Sequence, residues 1–389
     1  MTRFFWSLYM SRMAIHSIEA FAPISVQQST HFITRMFSAS EGVKKVEWIT
    51  CSSTKELVRA VNHLVRPGDV VAELGSQLQD VSNAICERSK YAVLVDLERK
   101  ALSDNSSRER AERRNDNVRK FEERSASCRG IASLSDWRKT LFFHSIDERP
   151  TYDVLVLDVS AMVGNDLPWT FISIIREFQS MNEAFGGSCR TILIKSTTLD
   201  RLASRLTDGK VWIERGVRTM PVSLIVGTVG VTQYRETLKR AVKPGDAVLE
   251  VGCHLGTSTA MVNHKASADG SGGYCIGVDV GPSIVEGAKK RHAHVYFSVG
   301  DAWKTADLLR IQQGYLALNP QSNVRLGFDV VYVDVGGLSG PDGLIEALTL
   351  IEALENALEP RCLVIKSTCI QQLCTTMKSF WDTTSAIMD

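Results

Sequence analysis

The chain has no Cys-x-x-Cys pair and no cysteine–histidine run at zinc-ligand spacing, so its nine cysteines carry no sequence signature of a metal site. Their number is odd and the chain is long enough to bury large cores, so they read as reduced thiols, mostly core filler. No stretch approaches the roughly 18 uninterrupted apolar residues of a spanning helix, so no membrane partner is expected. Charge of one sign is lacking as well. A formal net charge of +1 gives no field that would steer the whole molecule to nucleic acid or to a membrane surface, although local patches stay open. No Gly-Lys-Ser/Thr exists to build a phosphate loop. What is present is an ordinary globular composition, 44% apolar and 23% charged over 389 residues, with room for two or three domains.

The most informative stretch is Asp-Ala-Val-Leu-Glu-Val-Gly-Cys-His-Leu-Gly-Thr-Ser-Thr at residues 246–259. A short apolar run holding one carboxylate, Glu250, leads to Gly252 and Gly256 and then to small hydroxyl residues. This predicts a buried strand, a tight turn and a helix N-terminus. In an α/β sheet such a junction lies at the carboxyl ends of the strands, where ligands bind. Gly252 frees the turn's backbone, and Gly256 is expected to let a ligand approach the main chain. The Gly-x-x-x-Gly spacing is not the Gly-x-Gly-x-x-Gly of a dinucleotide site.

The same pattern occurs twice. Arg66-Pro-Gly-Asp-Val-Val-Ala-Glu-Leu-Gly75 matches Lys243-Pro-Gly-Asp-Ala-Val-Leu-Glu-Val-Gly252, each residue 177 positions before its match. Tyr91 to Asp96 matches Tyr274 to Asp279, Tyr152 to Asp158 matches Phe328 to Asp334, and Cys189 to Thr197 matches Arg361 to Thr368. Four blocks in one order predict two copies of an α/β domain, over 43–229 and 230–389, packed on each other. Continuous Val/Ile/Leu runs alternating with helical segments predict mostly parallel sheets. Val211-Trp-Ile213 and Ser223-Leu-Ile-Val226 are expected to pair antiparallel. The second copy has room for one closing helix, Ile370 to about Phe380. Its sheet is then shorter, or borrows the 211–226 segment as a permuted edge, or the chain is truncated.

Residues 1–40 hold one acid, Glu19, against three arginines, with many Ser and Thr. They read as an organelle-targeting leader, with plastid slightly favoured over mitochondrion because Glu19-Ala-Phe-Ala-Pro23 resembles the junction of two-part plastid leaders. Glu98 to Arg124 interleaves acids and bases without an apolar stripe and reads as a solvated segment rather than an RNA-contacting arm.

The strand–turn–helix stretch resembles the first motif of class I S-adenosylmethionine (AdoMet) methyltransferases. The resemblance implies two tandem Rossmann-like domains with AdoMet as the cofactor. Glu250 would hold the amino acid end of AdoMet through the Gly252–Gly256 turn, Asp279 would accept the ribose hydroxyls, and Asp301, in Ser-Val-Gly-Asp-Ala, would read the adenine amino group. In the first copy Gln79 stands where Gly256 does, which implies weak binding or none there. An Asp after the fourth strand and a Lys after the fifth resemble the heat-shock (FtsJ-like) RNA 2′-O-ribose methyltransferases. On that likeness Asp334 and Lys366 are catalytic, Lys366 losing its proton more readily through burial, and RNA is the leading methyl acceptor. The first Lys and final Glu of that family's tetrad are missing. Two other readings stay open: a non-catalytic methyltransferase-like protein that binds RNA or a partner enzyme, and a nucleotide-dependent dehydrogenase. No metal is expected.

Overall fold

The computed structural model describes residues 46–75, 80–95, 128–131, 137–142, 151–158, 167–215, 223–320, 326–339 and 343–385. The leader, the charged segment 98–124, Gln79 and Asp96 lie outside them.

Two seven-stranded sheets form, and every strand pair within them is parallel. The first contains β1 (Glu47–Cys51), β2 (Val70–Leu74), β3 (Tyr91–Val95), β4 (Cys128–Ile131), β5 (Val154–Asp158) and β6 (Thr191–Lys195). The second contains β7 (Leu206–Asp208), β8 (Leu224–Thr228), β9 (Ala247–Val251), β10 (Tyr274–Asp279), β11 (Tyr296–Val299), β12 (Val330–Val333) and β13 (Cys362–Lys366). The last strand, β14 (Met377–Ser379), joins the first sheet. The orders are β14-β1-β6-β5-β2-β3-β4 and β11-β10-β9-β12-β13-β8-β7. Read from opposite ends, they are the same order.

The helices that matter to the site are α1 (Thr54–Leu64) and α2 (Asp80–Arg88) beside the first sheet. Further along come α3 (Trp137–Phe142), α4 (Leu167–Ala184), α5 (Thr197–Ala203) and α6 (Gly209–Arg215). The second half has α7 (Gly230–Glu236), α8 (Leu238–Ala241), α9 (Thr257–Ala266), α10 (Pro282–Arg291) and α11 (Thr305–Leu318). It ends with α12 (Gly343–Leu358), α13 (Thr368–Thr376) and α14 (Phe380–Ser385). Among the described residues no helix is long and apolar enough to cross a membrane.

Strand side chains alternate between two apolar layers, as the period of two requires. Leu249, Val251, Ile276, Val331 and Ile365 point into one cluster, which continues through Leu74, Leu155 and Ile192 of the first sheet. Val248, Cys275, Val330 and Val364 point the other way, into a separate cluster with Trp212 and Tyr234. Ile49, Val71, Leu94 and Val156 do the same for the first sheet. One core therefore runs through both sheets, with an outer one on each and a smaller cluster of Cys253, Val285, Ala288, Val295 and Phe297 beside the second.

The two sheets are also held by the same polar devices. Asp153 Oδ2 accepts from Val70 N at 2.9 Å, and Asp329 Oδ2 accepts from Ala247 N at 2.9 Å. Asp69 binds the backbone of Arg66 and the guanidinium of Arg190; Asp246 binds the backbone of Lys243 and the guanidinium of Arg361. Each is a partly buried, charge-assisted contact that pins the loop before a central strand.

The expectations for the paired strands, the closing helix and the cysteines are corrected. Val211-Trp-Ile213 lies in α6, and 224–228 is a strand parallel to β13, so the antiparallel pair does not form. The helix after β13 stops at Thr376 because the chain turns into β14, and there are two short helices where one was expected. The second sheet borrows its edge from the other side of the 229/230 boundary, as one alternative held: β7 and β8 belong to it, and β14 belongs to the first sheet. Cys86 is disulfide-bonded, which contradicts a fully reduced set, whereas Cys51, Cys189, Cys253, Cys275, Cys362, Cys369 and Cys374 are free and buried.

Candidate functional site

At the carboxyl ends of β9, β10, β12 and β13 lies a pocket of about 390 Å³, within the size range of small-molecule sites. Glu250, Gly252, Asp279, Asp334 and Lys366 line it together with Arg235, Cys253, His254 and Ser258. Five of the seven residues expected from sequence thus share one cavity. Gly256 and Asp301 do not line it.

The turn after β9 explains the arrangement. Gly252 adopts φ +79°, and a Cβ there would lie 2.1 Å from the Asp334 carbonyl oxygen. Only glycine lets β9 and the loop after β12 come this close. His254 follows at φ 46°, a left-handed conformation, which aims its amide at Asp279. Asp279 Oδ2 accepts from His254 N and Oδ1 from Gly281 N, both at 3.0 Å. The carboxylate is fixed at the pocket edge, and each oxygen keeps a further acceptor site for a ligand hydroxyl.

Gly256 has another role than expected. It caps α9 at φ +79°, and its open side faces the ring of Phe297, whose Cζ would lie 2.5 Å from an added Cβ. The glycine makes room for the protein's own core. Asp301 stands off the cavity as well. It accepts from Trp303 N at 3.1 Å and lies 3.9 Å from Lys304 Nζ, so it closes the turn after β11.

Glu250 is 2% exposed. Its oxygens accept from the hydroxyls of Tyr234, at 3.1 Å, and Thr259. Burial pushes its pKa up to about 7, against the pull of those two hydrogen bonds. Both oxygens are engaged inside the protein, so Glu250 shapes the turn without reaching across the pocket. Glu73, 177 residues earlier, is held in the same way by Ser82. Cys253 is pushed up to about 12 by burial beside Glu250 and Asp279, so it is an inert thiol.

Lys366 Nζ lies 2.5 Å from Asp334 Oδ2, with 27% and 28% of the side chains exposed. The lysine is paired and within reach of water, so the burial expected of it is not found. The loop carrying Asp334 is tied to α13, with Ser367 Oγ donating to Leu338 O at 2.5 Å and Ser339 Oγ accepting from Thr368 N at 3.2 Å.

Arg235 escaped the sequence reading. It rises from α7, donates from Nε to Ser258 Oγ at 3.0 Å, and brings a guanidinium to the pocket beside three carboxylic acids. A comparison of positions 177 apart would have found it: Tyr234, Arg235 and Ser258 stand where the first half has Leu57, Val58 and Val81. Those three pack into the apolar layer over the first sheet. Among the described residues no group of three His, Cys, Asp or Glu side chains is placed to hold a metal ion.

No protein-family model and no curated protein matches the chain. Two solved structures resemble it weakly. One is a TehB-like SAM-dependent methyltransferase from Corynebacterium glutamicum, 18% identical over 34% of this chain and 60% of its own, with a TM-score of 0.23. The chain therefore spans less than two thirds of that protein's length. The other is phosphoethanolamine N-methyltransferase 1 of Haemonchus contortus, in complex with phosphoethanolamine and S-adenosylhomocysteine, 9% identical over 80% of each chain, also with a TM-score of 0.23. At that TM-score neither overlay bears on the chemistry of this pocket.

Proposed function

We propose that the chain is an AdoMet-dependent methyltransferase with its working site in the second half, and that the two halves arose by duplication. The observation that carries this reading is Asp279, pinned by two backbone amides beside the glycine turn and facing a cavity of ligand size. A carboxylate with spare acceptor capacity suits a ribose diol. Arg235 suits the ligand's carboxylate, since a guanidinium presents paired donors to two oxygens. The apolar replacements at positions 57, 58 and 81 support a first half that has lost ligand binding.

AdoMet would supply an electrophilic methyl group. This chain's residues bind and orient it and the acceptor. Asp334 and Lys366 form the polar corner where an acceptor hydroxyl would sit, Asp334 accepting its hydrogen bond, and alignment of the reactants supplies much of the rate. An RNA ribose hydroxyl is the acceptor we favour.

A second reading, a non-catalytic methyltransferase-like protein, is favoured by one fact. The same ion pair occurs in the first half, where Lys195 Nζ lies 2.9 Å from Asp158 Oδ2, so the pair by itself does not mark a reacting site. Calorimetry with AdoMet and S-adenosylhomocysteine tests the cofactor. Binding of neither at millimolar concentration sinks the first reading. Binding without transfer of a labelled methyl group to RNA, protein or small molecules leaves only the second.

A further inference from the structure

Divided between α6 and β8, each half of the chain sends its last strand into the other half's sheet. After β6, helix α5 stays on the first sheet, and the chain then crosses at Ser204–Arg205 to lay β7 against β8, with Leu206, Thr207 and Asp208 in register with Ile225, Val226 and Gly227. After β13, helix α13 stays on the second sheet, and the chain crosses to lay β14 against β1, with Met377, Lys378 and Ser379 in register with Trp48, Ile49 and Thr50. The exchange is sealed by side chains at both crossings. Gln371 Nε2 donates to Asp208 Oδ2 at 2.6 Å. Thr50 Oγ1 donates to Asp200 Oδ1 at 2.9 Å and also reaches Lys378 O. Arg205 pairs with Glu355 of α12, which accepts as well from Ser223 Oγ at 2.8 Å.

The strand that leaves the first half is followed by α6, which supports one wall of the pocket. Arg240 Nε, in α8, donates to Ile213 O at 3.0 Å, and Trp212 is buried in the same cluster as Tyr234. Tyr234 and Arg235 are neighbours on α7, so the helix that aims the guanidinium rests on the first half.

We propose that the first half is the obligate partner of the second, and that the pocket wall carried by α7, with α8 behind it, keeps its place only while the exchanged segment β7–α6 is docked against it. Each short strand satisfies the edge of a sheet built by the other half, and neither sheet is complete without it. The surface that α6, β7 and their neighbours offer is an interaction surface, and the partner it fits is the other half of this chain. This inference does not depend on AdoMet.

The test uses the full chain with a protease site inserted within 216–222, between α6 and β8. The chain is folded and then cut. The pieces are expected to remain one species with the mass of the uncut chain and to unfold in one cooperative step. Amides of 206–215 and 230–241 are expected to exchange with solvent at matched rates, only through that global step. Separation of the pieces in native buffer, unfolding in two steps, or exchange at 206–215 roughly 100-fold faster than at 230–241 would each overturn the proposal.

Discussion

Lys366 and Asp334 meet at 2.5 Å across the carboxyl ends of β13 and β12, the corner of the pocket farthest along the sheet from Asp279. The pair is partly exposed, so it contributes little to stability, on the order of 0–1 kcal/mol. Its consequence is for the acceptor. Lys366→Met removes the cation that holds Asp334 in place and is expected to lower methyl transfer by on the order of 100-fold. Affinity for S-adenosylhomocysteine should change less than about threefold, because Asp279 and Arg235 are untouched. Lys195→Met, which breaks the matching pair in the first half, should leave the rate unchanged. Equal losses in the two variants would show that the pair is scaffolding in both halves.

Arg235→Val installs the residue found at position 58. Its guanidinium loses only the Ser258 bond within the protein, so stability should move by no more than about 0.5 kcal/mol. A lost charge-assisted contact to a ligand carboxylate should weaken S-adenosylhomocysteine binding by roughly 10- to 100-fold. Calorimetry and urea unfolding separate the two effects. An unchanged dissociation constant would remove Arg235 from the site.

Gly256→Ala tests which way that glycine faces. Alanine at φ +79° pays a conformational penalty of about 1 kcal/mol, and its Cβ must displace the Phe297 ring. A stability loss of about 2 kcal/mol in urea unfolding is expected, with ligand affinity changed no more than a few-fold. The opposite result, weak binding with intact stability, would restore the view that a ligand approaches the backbone there.

The strands were legible because each is a continuous apolar run bounded by turn residues, and the repeat made each run visible twice. The crossing strands were not. Leu206–Asp208 and Met377–Ser379 are three residues long, and nothing in so short a segment says which sheet edge it will join. Glu250, Asp279 and Asp334 were found because strand-end carboxylates stand out in apolar runs. Asp301 falls outside the cavity because an acid after Val-Gly closes a turn as readily as it meets a ligand. Arg235 lies on a helix outside any motif, so only its contrast with Val58 betrays it.

Glu250 gives the pH dependence. Its folded-state value of about 7 lies above the 4.5 of an ordinary glutamic acid, chiefly because burial disfavours the charge. Below about pH 4.5 both folded and unfolded chains carry the proton. As the pH rises through 4.5 the unfolded state releases it while the folded state holds it, so this group's share of stability falls until the pH passes about 7. The full swing is on the order of 3 kcal/mol. Glu250→Gln has no proton to lose. It is expected to be slightly less stable than the natural protein at pH 5, because the amide nitrogen puts two N–H donors where the protonated carboxyl has one. It should overtake the natural protein by pH 8. Urea unfolding at pH 5, 6, 7 and 8 reads the difference directly. Two stability curves that run parallel across this range would mean that Glu250 titrates as an ordinary carboxyl and that its burial between Tyr234 and Thr259 has no electrostatic cost.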